Sequence, residues 1–247
     1  MDAAPPAYPF PWKTGLRLLQ AALLGQQRSF QADARACTSQ LSPPPKIRST
    51  ENIPTQGPAL LVTNHYARPG FLAWWIALAI SAALPMEVHW MMTSGWTFLG
   101  PLDRPSRVLF TRVARVYGFT PTPPMPARPQ EAEARARAVR RVLAYARASK
   151  QALVALAPEG RDQPGGILGP FPPGAGRFIQ QLSQHCQPII PIGVYEDEEA
   201  LCLSFGPAFE LQLPPGLNPG ERDAQASQQV GQALAQQLPP ELRGAYA

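Results

Sequence analysis

Three short stretches of the chain carry residue types that can do chemistry. The first is Gly57-Pro58-Ala59-Leu60-Leu61-Val62-Thr63-Asn64-His65. Residues 59–63 are an apolar run after a Gly-Pro break, the pattern of a buried strand. His65 follows that strand, just before a turn at Arg68-Pro69-Gly70. Sheet enzymes place reactive groups at such strand ends, and imidazole exchanges protons near neutral pH. The second stretch, Ala157-Pro158-Glu159-Gly160-Arg161, also ends an apolar run, and Leu168-Gly169-Pro170-Phe171 and Gly174-Ala175 come after it. The third is the apolar, proline-led strand Pro188-Ile189-Ile190-Pro191-Ile192-Gly193-Val194. Metal chemistry is not expected, because His65, His89 and His185 show no HExxH spacing and the cysteines no pair. Cys37, Cys186 and Cys202 read as small buried hydrophobes in a reducing compartment. His89 reads as a core histidine and His185 as one near a helix end.

In this order and spacing the three stretches resemble the phospholipid/glycerol acyltransferase family, which includes lysophosphatidic acid acyltransferases. The likeness covers about residues 45–210 and is most specific from Pro158 to Ala175. It implies acyl transfer from acyl-CoA or acyl carrier protein to an alcohol, a lysophospholipid or glycerol-phosphate-like acceptor. His65 is then the general base that takes the hydroxyl proton. Asn64, Arg68, Glu159, Gly160 and Arg161 fall at acceptor-binding positions. No cofactor beyond the acyl donor is implied. The departures are specific. The family places an aspartate five residues after the histidine to orient it, and here that position is Gly70. Family Thr-Arg-Ser reads Arg161-Asp162-Gln163, and the basic residue after Leu-Gly-Pro-Phe is replaced by Pro172-Pro173. Arg128 is the candidate for a further phosphate-binding arginine. Asp162, Asp103 or a backbone carbonyl is left to orient the ring. The alternative is a catalytically inactive homologue that binds lipid or acyl chains or regulates a partner.

The elements that must hold these stretches are marked out by proline. The chain has 247 residues, 31 of them proline and 19 glycine. The prolines cluster, and the windows they leave free are where helices and central strands must lie. The patterns predict helices at 12–30, 71–84, 105–116, 130–148, 174–187 and 222–238. They predict strands at 59–63, 87–93, 116–119, 152–157, 189–195 and 201–205. Residues 119–130 read as an extended proline loop, and Glu196-Asp197-Glu198-Glu199 as a solvated turn. Strands alternating with helices indicate a single-domain α/β layered fold. The resemblance makes its sheet mixed, mostly parallel and glycerol-phosphate-acyltransferase-like. Residues 1–45 are assigned to an N-terminal amphipathic helix and linker, and 46–247 to the acyltransferase-like domain.

Charge bears on partners. Net charge is +5, but segment 104–150 holds eleven of the 22 basic residues against Glu131 and Glu133. Such a patch attracts lipid headgroups or the phosphates of a CoA carrier. Nucleic acid is not expected, since no binding motif accompanies the charge. The apolar run 71–84 is shorter than the roughly 20 residues that span a bilayer. No secretory signal is read in residues 1–30. Leu16, Leu19, Leu23 and Leu24 share one face of helix 12–30, which either lies on a membrane or packs on the core. The expected location is cytoplasmic, peripheral to the inner face of the membrane.

Overall fold

The computed structural model describes residues 6–96, 103–197 and 200–247. Its strands are β1 (Lys46–Arg48), β2 (Ala59–Thr63), β3 (His89–Thr93), β4 (Thr120–Thr122), β5 (Leu153–Leu156), β6 (Ile189–Asp197) and β7 (Ala200–Phe205). They form one sheet in the order β1-β7-β6-β2-β5-β3-β4. All neighbours are parallel except β6 and β7, which pair antiparallel. The fold is thus the α/β single domain with a mostly parallel mixed sheet. Leu60, Val62, Leu153, Val154, Ile189 and Ile192 are wholly buried. Strands covered on both faces read as continuous apolar runs, which is why these were visible in sequence.

The helices are α1 (Trp12–Leu24), α2 (Phe30–Thr38), α3 (Trp74–Ala83), α4 (Asp103–Tyr117), α5 (Ala132–Ala148), α6 (Ala175–Ser183) and α7 (Pro219–Ala235). The single helix expected at 12–30 is two. Gly25 closes α1 in the left-handed conformation, and Ser29 opens α2 by accepting from the Ala32 N–H. Helix α2 packs on α3 and places Ala34 and Cys37 in the core. The leucine face of α1 is not packed on the core: Trp12, Leu16, Leu19 and Leu23 are exposed. Helix α7 starts earlier than expected, at a capping box in which Asn218 and Glu221 satisfy each other's backbone N–H groups.

Two strand expectations are corrected. The strand expected at 116–119 is the end of α4, and β4 lies within the proline loop. Pro121 is tolerated there because β4 is an edge strand, where a missing N–H faces outward. Exposed β1 had no apolar pattern to announce it. The acidic turn is corrected as well. Glu196 and Asp197 belong to β6, paired with Arg68 and Arg48, while Glu198 and Glu199 lie outside the described residues.

Candidate active site

Sheet register brings the first two stretches together. Val62 of β2 lies opposite Leu156 of β5. The chain then runs from Val62 to His65 and from Leu156 to Glu159, so both arrive side by side at the carboxyl edge of the sheet. Asn64 fixes the exit from β2. Its amide Nδ2 donates to the Val194 carbonyl at 2.8 Å, and its Oδ1 accepts from the Val194 N–H at 2.7 Å. The side chain extends the β2–β6 ladder and is buried (1% exposed). Both polar atoms of the amide are engaged in this pairing.

Glu159 is held inside the protein in the same way. It is 2% exposed. Its Oε2 accepts from the His65 N–H at 2.5 Å and its Oε1 from the Gly169 N–H at 2.7 Å. The carboxylate therefore ties the histidine turn to the Leu-Gly-Pro-Phe segment. Burial pushes its carboxyl above the ordinary range, while the two N–H donors, His65 and Arg161 act in the opposite direction. From the far side, the chain end braces the same segment. Leu168 donates to the Leu242 carbonyl at 2.8 Å, and the Tyr246 hydroxyl accepts from the Phe171 N–H at 3.1 Å.

The carboxylate beside the imidazole is Asp162. His65 Nδ1 lies 3.0 Å from Asp162 Oδ1. The approach is close but not in line, because Nδ1 is buried and has no well-aligned acceptor. The Asp162 side chain is 69% exposed, so it can turn into line without displacing packed neighbours. The His65 ring holds the Asp162 carboxyl below the ordinary carboxylate range through their side-chain interaction, against the opposing effect of partial burial. Nδ1 is buried while the His65 side chain as a whole is 23% exposed. Asp103, the other carboxylate considered, opens α4, where its carbonyl accepts from the Ser106 hydroxyl.

Gly70 is exposed with φ +83°, a conformation that L side chains rarely adopt. The position lacks the orienting side chain and also has a backbone built for glycine. Arg68, assigned to the acceptor, is instead bound to Glu196: Nη2 donates to Oε1 at 2.8 Å and Nε to Oε2 at 2.5 Å. Its charge is already matched by a carboxylate. Gly160 and Arg161 are exposed on the turn after Glu159. A Cβ on Gly160 would meet Met125 Cγ at 2.9 Å, so the proline loop lies over this turn. Arg135 secures that loop by donating to the Pro123 and Pro124 carbonyls. Arg128 is exposed just before α5.

The other histidines have partners of their own. His89 is buried, stacked on Tyr145 at 3.9 Å and 2.8 Å from the Thr120 hydroxyl, and burial pulls its pKa down to about 4. His185 Nε2 accepts from Arg147. Among the described residues no group of three potential metal ligands comes together. Sequence reasoning missed Tyr8, Tyr66 and Glu196, which meet around Arg68. They carry no motif, and their separation along the chain left no local signal.

Comparison with known proteins bears on the family and the fold. The chain matches the sequence model of the family described as Acyltransferase over residues 45–195. No curated protein matches it by sequence. Among solved structures it is similar to the 1-acyl-sn-glycerophosphate (LPA) acyltransferase PlsC from Thermotoga maritima. The TM-score is 0.50 at 12% identity, over 90% of this chain and 88% of that one. At that identity the likeness speaks for the fold.

Proposed function

The chain belongs to the acyltransferase family, and within it we propose that His65 is the general base of acyl transfer from a thioester to an alcohol. The observation that carries this reading is Asp162 Oδ1 at 3.0 Å from His65 Nδ1. Turned into line, Asp162 accepts a hydrogen bond from Nδ1–H, which fixes the tautomer with Nε2 unprotonated as the base. Nε2 takes the acceptor hydroxyl proton as the oxygen attacks the thioester carbonyl carbon. The tetrahedral intermediate collapses, the C–S bond breaks, and the imidazolium returns the proton to the thiolate. The products are an ester and a free thiol. The donor is acyl-CoA or acyl carrier protein, and the acceptor a lysophospholipid or related alcohol. Gly160 and Arg161, exposed on the turn after Glu159, are the acceptor-contacting residues that remain once Asn64, Arg68 and Glu159 are read as scaffold.

The membrane reading rests on exposed apolar surface. Trp12, Leu16, Leu19 and Leu23 stand out from α1, and the Phe10 ring lies between Trp12 (4.5 Å, tilted) and Trp74 (6.0 Å, edge-on). Helix α1 packs on arginine-rich α4. An apolar face beside a basic helix suits the surface of an anionic leaflet. No helix of the described residues is long and apolar enough to cross a membrane. The protein is accordingly read as peripheral to the cytoplasmic leaflet, and flotation with anionic vesicles tests it: protein left at the bottom of the gradient counts against this reading.

The catalytic reading is tested with purified protein, radiolabelled acyl-CoA and acyl carrier protein, and a panel of lysolipids and simple alcohols. Transfer that disappears in His65→Ala supports it. Lipid or acyl-CoA binding without turnover in the native protein would instead establish the inactive homologue.

A further inference from the structure

Glu196 sits near the end of β6, outside every motif, yet it gathers three chain segments. The Tyr8 hydroxyl donates to its Oε1 at 2.6 Å and the Tyr66 hydroxyl to its Oε2 at 3.0 Å. Arg68 adds one donor to each oxygen. Arg68 Nη2 also donates to the Pro6 carbonyl at 2.8 Å, and its guanidinium carbon lies 5.7 Å from the Tyr8 ring centre. The pair is largely withdrawn from water, with Arg68 and Glu196 side chains 18% and 9% exposed. Phe71 closes the cluster with edge contacts to Tyr8 and Tyr66 at 5.0 and 5.2 Å. A carboxylate so buried is tolerated only when its oxygens are satisfied, as these are.

The cluster reaches both halves of the site. Tyr66 follows His65 directly. Its ring also presses on Gly166, where a Cβ would meet Tyr66 Cδ2 at 2.5 Å, and Gly166 belongs to the loop that carries Asp162. The His65 turn and the Asp162 loop therefore share one support, held from β6 and completed by the N-terminal arm.

We propose that Glu196 is a positioning residue for His65, and that Tyr8 makes the N-terminal arm part of the same support. A family aspartate at position 70 would brace the histidine from within its own turn. Here Arg68 and Tyr66 brace that turn against β6. The arm thus contributes to turnover independently of anything α1 does at a membrane. The inference rests on His65 being the base.

The test compares native protein, Glu196→Ala, Glu196→Gln, Tyr8→Phe and His65→Ala. Each is assayed with octanoyl-CoA and the eight-carbon form of the best panel acceptor, once as monomers in solution and once with the acceptor in vesicles. In Glu196→Ala kcat falls about 10-fold or more while KM for octanoyl-CoA changes no more than about 2-fold. Glu196→Gln, which keeps an acceptor for a tyrosine, falls between. Tyr8→Phe lowers kcat equally in both formats. The imidazole 15N signals of His65, assigned by their loss in His65→Ala, shift in Glu196→Ala. Unchanged kcat and unchanged 15N signals in Glu196→Ala would overturn the inference, as would a Tyr8→Phe defect confined to vesicles. Should Glu196→Ala fail to fold, Glu196→Gln and Tyr8→Phe decide it. Full transfer by His65→Ala would remove the underlying reading instead, and is distinguished by that variant alone.

Discussion

His65 Nδ1 and Asp162 Oδ1 lie 3.0 Å apart, although they belong to turns after different strands. On the proposed reading, the carboxylate that the family keeps on the histidine's own turn is supplied from the neighbouring one. Removing an orienting carboxylate from a histidine base can cost up to about 10⁴-fold in kcat. Asp162 is far more exposed than a buried orienter, so a smaller loss is expected. Asp162→Asn should lower kcat about 10²-fold with acceptor KM little changed, measured by steady-state transfer.

Restoring the family residue should not restore the site. Gly70 has φ +83°, and a Cβ there would lie 3.4 Å from Arg68 Nη1. Gly70→Asp should therefore lower stability by about 1 kcal/mol, read as a reduced thermal midpoint. In an Asp162→Asn background it should recover none of the lost turnover. Recovery would mean that the turn can reach the geometry of the family motif.

Glu159 should behave as scaffold. Glu159→Ala leaves the His65 and Gly169 N–H groups without acceptors in a buried place, at roughly 1–3 kcal/mol each. Denaturant unfolding should show a loss of that order, with turnover falling as the His65 turn loosens. Glu159→Gln keeps one acceptor oxygen and should lose less. An unaltered fold with only acceptor KM raised would return Glu159 to the acceptor pocket.

The two carboxylates respond oppositely to acid. Asp162 is held below its ordinary 3.8, so its contribution is present above that value and is lost as pH falls through the lower folded value. Exposure keeps this contribution small. Glu159 is held above its ordinary 4.5. Its charge opposes folding above that range, and the penalty is relieved as pH falls through the raised value. The thermal midpoint of native protein should therefore gain on that of Glu159→Gln as pH is lowered toward 4.5. A gap that widens in favour of the variant would contradict this sign.

What the sequence made legible follows from how local each signal was. Strand β2 and its histidine could be read because Gly57-Pro58 and a short apolar run bracket the element. Helices α4, α5 and α7 were visible from their periodicity between proline clusters. Helix α2 was hidden because its start depends on a serine cap rather than an apolar stripe, and β4 because proline argues against strand except at an edge. The structural partners of Asn64, Glu159 and Arg68 were hidden for one reason. Each is polar and lies in a motif, yet each is satisfied by a group distant in sequence: Val194, Gly169 and Glu196. Asp162 was legible as a candidate because it interrupts the motif, but its distance from the ring needed the register of β2 and β5.

The most direct measurement is a double-mutant cycle on acyl transfer with His65→Ala, Asp162→Asn and the pair together. If Asp162 acts through His65, the double variant should be no slower than His65→Ala, although Asp162→Asn alone is clearly impaired. Native turnover in Asp162→Asn, or losses that simply multiply in the double variant, would contradict the pairing.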